Sequence, residues 1–306
     1  LSSGQPFYQI GSDQGLLNEP VKLDQLTLGP GERADVILDF SKMKGQTIIL
    51  RNDARTPFPA GDPVDPESVG QIMAFRVIQP LQGTDRSVIP ATLRPAPIAQ
   101  PTLEPSQTQP TVRQLLLFEG KDELGRIMPL LGTARDGAMQ WGDPTTENPH
   151  LNDVEIWEIY NTTVDTHPIH LHLVHFQVLN RQRFTATQDP DTGALTNIRL
   201  MGSLSRPQAN EAGLKDTVQM PPGQVTRIIA KFDREGEYVW HCHILSHEDH
   251  EMMRRIEVLP ERVPTSADSA NVAAPAAPAT VFSTKPITAG LPMREDPLPT
   301  PAAPVS

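Results

Sequence analysis

The amino-acid sequence predicts an all-β protein, and three observations support this prediction. Short runs of strand-forming residues alternate between apolar and polar side chains, turn residues separate the runs, and no long stretch shows strong helical periodicity. Residues 33–40 (RADVILDF) are an example, because they alternate and follow the turn signal Gly-Pro-Gly at 29–31. Several short strands joined by turns are typical of a β-sandwich or a β-barrel.

Further strand candidates lie on both sides of a proline-rich stretch. In the first region of the chain they are residues 47–50 and 73–78. In the second region they are residues 114–118, 154–160, 176–179, 225–232 and 238–240. A full sandwich of this kind takes about 100 residues. We therefore expect the shorter first region to form only part of a domain.

Proline placement predicts the domain organisation. Residues 80–112 contain a cluster of prolines, which favours extended backbone and predicts an interdomain linker. A second cluster, rich in alanine, fills the end of the chain and has little apolar surface to bury. The predicted parts are part of one domain (1–79), a linker (80–112), a complete domain (113–262) and a disordered Pro/Ala-rich tail (263–306).

Composition and charge limit the classes of molecule that the chain is expected to bind. The formal net charge is −11 with acidic residues spread along the chain, which argues against a nucleic-acid partner, because phosphate binding needs a basic patch. We find no apolar run of the roughly eighteen residues that a membrane span needs, so no membrane is expected. A single cysteine allows no internal disulfide. The chain begins at Leu1 without a signal pattern, so we expect a removed upstream segment or a fragment.

Histidine clustering is the most informative feature of the sequence. None of the nine histidines lies before His150, and six of them fall in two short clusters, at 167–172 and 241–247. The only cysteine, Cys242, is inside the second cluster. A lone buried cysteine is more often a small hydrophobic residue than a ligand. Two histidine clusters that include the only cysteine predict metal binding instead.

Strand geometry divides these residues between two sites. Successive side chains of a strand point to opposite faces, so an extended segment directs His241 and His243 one way and Cys242 the other. The first cluster divides in the same way, because an extended segment directs His170 and His172 to one face and His167 to the other. Each cluster therefore supplies one ligand to one side and two to the other. Two neighbouring metal sites on a shared strand require this division.

The first predicted site has a blue-copper ligand set. Its residues are Cys242, His167, His247 and, as a weak fourth ligand, Met252. Two imidazoles, a thiolate and a distant thioether suit copper. Zinc bound by one Cys and two His usually keeps water or another strong ligand in the fourth place. Met253 is the alternative axial ligand, although the Cys-x4-His-x4-Met spacing favours Met252.

The second predicted site has four imidazoles and no thiolate. Its residues are His170, His172, His241 and His243. Such a donor set suits copper that binds oxygen. The peptide at 241–243 would connect the two centres through covalent bonds. An electron carrier with one copper has no need of histidines on both sides of its cysteine.

These segments resemble the multicopper oxidases, and among them the bacterial laccases related to spore-coat laccase and bilirubin oxidase. The two histidine motifs carry most of the resemblance: HPIHLHLVHF at 167–176 and HCHILSHEDHEMM at 241–253. It extends to EIWEIYN at 155–161, KDTVQMPPGQVTRI at 215–228 and YVWHCH at 238–243. Upstream, FYQIGSDQGLL at 7–17 and LGPGERADVILDF at 28–40 resemble the latter part of the family's middle domain. The resemblance covers about residues 5–260.

The resemblance implies a fold and a set of ligand roles. Each half is expected to be a cupredoxin, a Greek-key β-sandwich, with the first partial and the second complete. The implied copper roles are type 1 for His167, Cys242, His247 and Met252, type 2 for His170, and type 3 for His172, His241 and His243. The remaining histidines match no ligand position and are expected to be structural or surface residues: His150, His175 and His250.

The resemblance also implies a reaction. A small electron donor, phenolic or similar, is oxidised one electron at a time at type 1 copper, and dioxygen is reduced to two waters at a trinuclear copper cluster. His247 is the expected entry point for electrons. Glu248 matches an acidic residue proposed to deliver protons, and its alternative is a solvated carboxylate. The same resemblance implies an extracytoplasmic location, periplasmic, secreted or at the spore or cell surface.

The ligand count departs from the family. Its trinuclear cluster takes eight histidines, four of them from two His-x-His pairs in an N-terminal domain, and this chain has none before residue 150. The same gap excludes the compact two-domain laccases. We expect an oxidase that is truncated, cleaved or split, inactive as this chain alone and completed by the missing N-terminal domain or a second chain. The alternative is a blue-copper electron-transfer or copper-binding fragment without oxidase turnover.

Overall fold

The structure, a computed structural model, describes residues 1–105 and 107–262, and their secondary structure is almost entirely β, as predicted. The predicted tail at 263–306 lies outside the described residues. The strands are β1 (Phe7–Ser12), β2 (Gly15–Leu23), β3 (Asp35–Ile37), β4 (Thr47–Arg51), β5 (Gln71–Arg76), β6 (Thr111–Lys121), β7 (Ile127–Thr133), β8 (Gly137–Met139), β9 (Val154–Asn161), β10 (His167–Leu171), β11 (Phe176–Gln188), β12 (Leu195–Ser205), β13 (Thr217–Met220), β14 (Gln224–Lys231), β15 (Gly236–Cys242) and β16 (Met253–Val258).

Two short helical segments accompany the strands: the 3-10 turn Ala209–Glu211 and the one-turn helix α1 (Leu245–Glu248). Within the two described ranges, no helix combines the length and the apolar character that crossing a membrane requires.

The strands form four sheets. In the first region, β1 lies between β2 and β3, and β4 pairs with β5. In the second region, one sheet has the order β12-β11-β14-β9-β6-β7-β8 and the other has the order β13-β10-β15-β16. β6 and β9 are parallel, whereas the other ladders are antiparallel. Neighbouring strands that are distant in sequence are typical of Greek-key sandwiches.

A single apolar core fills the space between the two sheets of the second region. The larger sheet contributes Trp157 and Ile228, and the smaller sheet contributes Ile169 and Trp240, all at most 1% exposed. The two indole rings pack edge to face with centroids 5.4 Å apart. Burying each large apolar side chain stabilises the fold by about 1.5–3 kcal/mol. Cys242 belongs to the same core, so the sandwich interior reaches the predicted ligands.

Each strand predicted from the sequence overlaps an observed one, and two of the observed strands that were not predicted, β12 and β10, have local causes. β12 is exposed along most of its length, so its apolar residues do not alternate. β10 is built from the first histidine cluster and contains Pro168, which argues against a central strand because proline has no N–H to donate. β11 continues well beyond the predicted 176–179, because its second half pairs with β12 in an exposed hairpin.

The proline-rich stretch predicted as a linker (80–112) lies against both regions. The backbone N–H of Leu93 donates to the carbonyl oxygen of Asn18 at 2.8 Å, and the Gln177 side chain donates to the carbonyl oxygen of Ala99 at 2.6 Å. In its described part no strand lies between β5 and β6, and β6 begins within its last two residues. The division into domains at this segment stays a prediction.

The register between β10 and β15 sets the positions of the chemically important side chains. Ile169 pairs with Cys242, and His170 pairs with His241. Paired residues of antiparallel strands point to the same face of a sheet. Cys242 therefore faces the core with Ile169, whereas the two paired histidines face away from it. His167 lies two residues before Ile169, so it is also on the core face, where it is fully buried.

Candidate metal centre

Three potential metal ligands meet on the core face of β10 and β15, and we call them the cysteine group: Cys242, His167 and His247. Cys242 Sγ lies 3.7 Å from His167 Nδ1 and 4.0 Å from His247 Nδ1, and the two nitrogen atoms are 3.3 Å apart. A point equidistant from the three atoms lies about 2.1 Å from each, close to the length of metal–nitrogen and metal–sulfur bonds. One metal ion therefore fits between them.

The three residues differ in their access to solvent. Cys242 and His167 are fully buried in the sandwich. His247 comes from α1, which follows β15, and it is only partly buried. Its neighbour in α1, Leu245, is 75% exposed. His247 is therefore the member of the cysteine group nearest to solvent, beside an apolar surface residue.

The two candidate axial methionines point to different faces. Met253 pairs with His241 in the ladder between β15 and β16, so the two share a face. Met252 lies one residue earlier, and its carbonyl oxygen accepts a hydrogen bond from the Cys242 N–H at 3.0 Å. Met252 is fully buried and belongs to the same core as Cys242. This geometry favours Met252 over Met253 as the fourth ligand.

A buried polar chain orients His167. Its Nε2 lies 2.7 Å from Thr163 Oγ1, and that hydroxyl donates to Asn161 Oδ1 at 2.9 Å. When Nε2 carries the proton and donates it to Thr163, the lone pair of Nδ1 is free to bind a metal. Glu119 Oε1 lies 3.6 Å from the same Nε2. The turn that precedes β10 therefore fixes which nitrogen faces the cysteine group.

Burial sets the protonation of the cysteine group. Burial, together with the nearby His247, lowers the pKa of His167 to about 3. Burial also lowers the pKa of His247 and raises the pKa of the Cys242 thiol to about 12. At neutral pH both imidazoles are therefore neutral ligands. The thiol keeps its proton until a metal ion displaces it.

Four imidazoles gather on the opposite face, and we call them the histidine group: His170, His172, His241 and His243. The Nε2 atoms of His172 and His241 are 3.3 Å apart, and ring nitrogens of these two and His170 lie within 4.8 Å of one another. The His243 ring centroid is 5.8 Å from that of His170 and 5.6 Å from that of His241. His243 therefore borders the nitrogen cluster formed by the other three.

Hydrogen bonds direct the nitrogens of the histidine group. His170 Nδ1 donates to the carbonyl oxygen of Asp216 at 2.9 Å, and His241 Nδ1 lies 3.0 Å from the carbonyl oxygen of Cys242. Both rings therefore present Nε2 to the other imidazoles. Burial lowers the pKa of His241 and of His172, which favours the neutral, metal-binding form.

Two carboxylates border the histidine group. Glu248 Oε2 lies 3.2 Å from His241 Nδ1, and Asp216 Oδ1 lies 3.4 Å from His170 Nδ1. Burial alone would raise the pKa of Asp216. Hydrogen bonds from His170 and Arg33 outweigh burial, however, so this pKa is lowered. Asp216 is therefore an anion at neutral pH, and it stabilises the adjacent imidazole N–H.

The residues that orient the ligands were not predicted from the sequence: Asn161, Thr163, Asp216 and Arg33. Asn161, Asp216 and Arg33 lie inside segments that carry the family resemblance, at the end of EIWEIYN, in KDTVQ and in GPGER. The family resemblance of these segments was the sequence signal that could have drawn attention to the three residues. It gave no role to these residues, because the contacts of Arg33 and Asp216 join segments far apart in the sequence, whereas that of Asn161 depends on the shape of the turn before β10.

The three histidines without a predicted ligand role lie outside both groups. His150 Nδ1 is 2.7 Å from the carbonyl oxygen of Pro260, which ties the residues after β16 to the loop before β9. His175 and His250 are exposed. In the described part of the chain, the metal-capable clusters contain neither these two nor His150.

Comparisons with known proteins identify the family of the chain. A family profile described as "Multicopper oxidase" matches residues 106–262. The chain is 43% identical over 259 residues to a laccase of Bacillus subtilis and 42% identical over 260 residues to a laccase of Bacillus stratosphericus. These matches cover 84% and 85% of this chain but 47% and 48% of the relatives. The chain therefore spans about half the length of the curated relatives it matches.

A solved structure shows the same relationship. The laccase from Pediococcus acidilactici superimposes with a TM-score of 0.60 at 27% identity, over 84% of this chain and 46% of that one.

A β-sandwich with a Cys/His2 group and a histidine group on opposite faces of one strand belongs to the cupredoxin-like class of proteins. Within that class, the chain belongs to the multicopper oxidase family. The resemblance to bacterial laccases and the cupredoxin-like fold predicted from the sequence are confirmed. The family implies copper, and the donors of the cysteine group with the buried Met252 fit that metal.

Proposed function

We propose that the chain is the part of a laccase-like oxidase that takes electrons from a small donor and passes them toward dioxygen. One observation carries the proposal: the cysteine group and the histidine group lie on opposite faces of β15 and share the peptide His241-Cys242-His243. Sites on opposite faces of one strand are joined by covalent bonds, which are a better path for electrons than solvent or loose contacts.

The cysteine group is proposed to be the type 1 site, held by His167, Cys242, His247 and Met252. Burial excludes water from the first two of these ligands, and the Thr163 hydroxyl keeps the Nδ1 of His167 free for metal. His247 is proposed as the entry point for electrons, because it is the ligand that reaches toward the surface.

The histidine group is proposed to supply half of a trinuclear site, with His170 in the type 2 role and His172, His241 and His243 in the type 3 role. Bound copper would supply the one-electron oxidation of the donor and the four-electron reduction of dioxygen to two waters. Glu248 is proposed to move protons on this side, since its Oε2 lies 3.2 Å from the Nδ1 of His241.

We propose a phenolic or similar small molecule as the donor. Leu245, 75% exposed, gives the surface around His247 an apolar component that an aromatic ring could contact. Two relatives of the chain are laccases, which agrees with this class of donor. An extracytoplasmic location remains part of the proposal, and it is supported only by the family resemblance.

The second half of the trinuclear site is proposed to come from an N-terminal domain or a second chain. The support is the absence of any histidine before His150, together with the four imidazoles of the histidine group. By themselves, the 306 residues are therefore expected to behave as a blue-copper protein without oxygen turnover.

The decisive experiment compares the copper-loaded chain with the same chain joined to, or mixed with, the N-terminal portion. The chain alone should absorb intensely in the red and consume no oxygen with a phenolic donor. Addition of the N-terminal portion should start oxygen uptake. Turnover by the chain alone would contradict the ligand count, and a complete assembly that consumes no oxygen would contradict the laccase assignment.

A further inference from the structure

The histidine group is in contact with a loop of the first region, residues 29–33, which we call the bracing loop. Glu32 closes the loop on itself, because its Oε2 accepts the Gly29 N–H at 2.8 Å. The same oxygen accepts the side-chain amide of Gln219 in β13 at 2.7 Å. The other carboxylate oxygen of Glu32 is 3.2 Å from the buried Nζ of Lys215. The bracing loop is thus tied to the strand beside β10.

Two glycines of the bracing loop lie against the metal-binding strands. A Cβ atom on Gly29 would lie 3.0 Å from the Cβ of Pro168, in the middle of β10. A Cβ atom on Gly31 would overlap with the imidazole ring of His243. The loop backbone therefore packs directly on one member of the histidine group, and only glycine leaves room for that contact.

Arg33 reaches a second member of the histidine group through Asp216. Its guanidinium donates to both carboxylate oxygens of Asp216, at 2.7 and 2.5 Å. A bidentate pair of this kind fixes the carboxylate in orientation as well as in position. His170 Nδ1 lies 3.4 Å from Oδ1 of the carboxylate that Arg33 holds, 2.9 Å from the carbonyl oxygen of Asp216 and 3.0 Å from the hydroxyl of Thr217. Arg33 therefore acts on the orientation of His170 through the side chain of Asp216.

A second residue of the first region, Asp13, binds the same segment around Asp216. The side chain of Asp13 is fully buried, and its Oδ2 lies 3.1 Å from the Nζ of Lys215 and 3.3 Å from the backbone N of Asp216. Its Oδ1 accepts the backbone N–H of Arg33 at 2.8 Å. Charged groups buried at this level are stable only when they are paired. The segment that carries Asp216 is therefore bound by both Asp13 and Arg33 of the first region.

We propose that the bracing loop is a positioning element for the histidine group: Gly31 sets the place of the His243 ring, and Arg33, through Asp216, sets the orientation of His170. The placement of the imidazoles is inferred independently of the proposed function. Its consequence, the geometry of copper held by those imidazoles, rests on that function. The cysteine group touches neither residue, so the two groups respond differently to changes in the loop.

The first test uses the metal-free chain and nuclear magnetic resonance of its imidazoles. In the wild type the Nδ1 proton of His170 is hydrogen-bonded and should exchange slowly. Arg33→Gln should make that proton exchange faster, and Arg33→Lys should slow the exchange again only in part, because an ammonium group makes no bidentate contact. The control is Arg227→Gln, which breaks a comparable ion pair with Glu158 away from both groups.

The second test loads the chain with Cu2+ and compares Gly31→Ala with Gly45→Ala. The two glycines have nearly the same φ, +82° and +81°, so both variants place an alanine in the left-handed region that favours glycine. A Cβ on Gly45 meets nothing within 4 Å. Only Gly31→Ala should shift the electron paramagnetic resonance of the non-blue copper, and both variants should keep the red absorption of the cysteine group.

Three results would overturn the proposal. They are a His170 exchange rate that Arg33→Gln changes no more than Arg227→Gln does, identical non-blue spectra for the two alanine variants, and loss of the red absorption in Gly31→Ala, which would mean general damage. If wild-type chain bound no second copper, the proposed function would be contradicted. The metal-free test would still decide the role of Arg33, because it uses no copper.

Discussion

The cysteine group and the histidine group share β10 and β15 but differ in what surrounds them. The cysteine group lies inside one sandwich, and the side chains that orient His167 belong to the same region of the chain. The histidine group lies on the outer face, where His172 is exposed, where Gly31 of the first region lies against His243, and where Asp216, bound by Arg33, accepts a hydrogen bond from His170. The comparison indicates that the cysteine group draws its contacts from one sandwich, whereas the histidine group also depends on contacts with the first region.

The largest expected effect is that of Cys242→Ser. Loss of the thiolate should abolish the red absorption of the copper-loaded chain, because that band is a thiolate-to-copper transition. Imidazole-bound copper in the histidine group should remain, as measured by metal content and electron paramagnetic resonance. A colourless wild-type protein would contradict the blue-copper assignment, and loss of all copper in the variant would show that the two groups are not independent.

His247→Ala should give the next largest effect, at least about 100-fold on donor oxidation in the assembled oxidase, because it removes a metal ligand rather than a residue that supports one. Copper in the histidine group should be retained. The matched control is His175→Ala, which changes an exposed histidine outside both groups. Equal activities for these two variants would remove His247 from the electron path.

Thr163→Val should weaken metal binding by about 10–100-fold at the cysteine group alone, since it removes the partner that fixes the tautomer of His167. The side chain keeps its volume, so the buried turn should stay packed. Competitive titration of the red absorption with a chelator measures the loss. If the affinity of the histidine group falls by the same factor, the separation of the two groups is wrong.

The smallest expected effect is a pH dependence. The raised pKa of Cys242 means that metal binding releases the thiol proton at neutral pH, while the lowered pKa values of His167 and His247 mean that these imidazoles release none. Affinity of the cysteine group for Zn2+ should therefore rise about tenfold per pH unit near neutrality. Calorimetry in buffers of different ionisation enthalpy should count about one released proton, and this release should disappear in Cys242→Ser. A count near zero would mean that the thiol is already ionised.

Much of the fold and of the candidate site was accessible from the sequence. Short runs of β-branched and aromatic residues at 154–160 and 225–232 predicted β9 and β14, and both strands are buried along most of their length. The spacing around Cys242 predicted that it would face away from His241, and the register of β10 with β15 places them so. β10 was missed because its residues are histidines and a proline rather than an apolar run.

What the sequence by itself determined is the set of candidate metal-binding side chains and their division between two faces. Both properties are local, since ligand type is chemical and facing follows from the two-residue period of a strand. Only the tertiary structure decided that Met252 shares the face of Cys242 and that Gly31 and Arg33 brace the histidine group. These contacts depend on the pairing of strands and loops up to about two hundred residues apart, and no local pattern encodes that pairing.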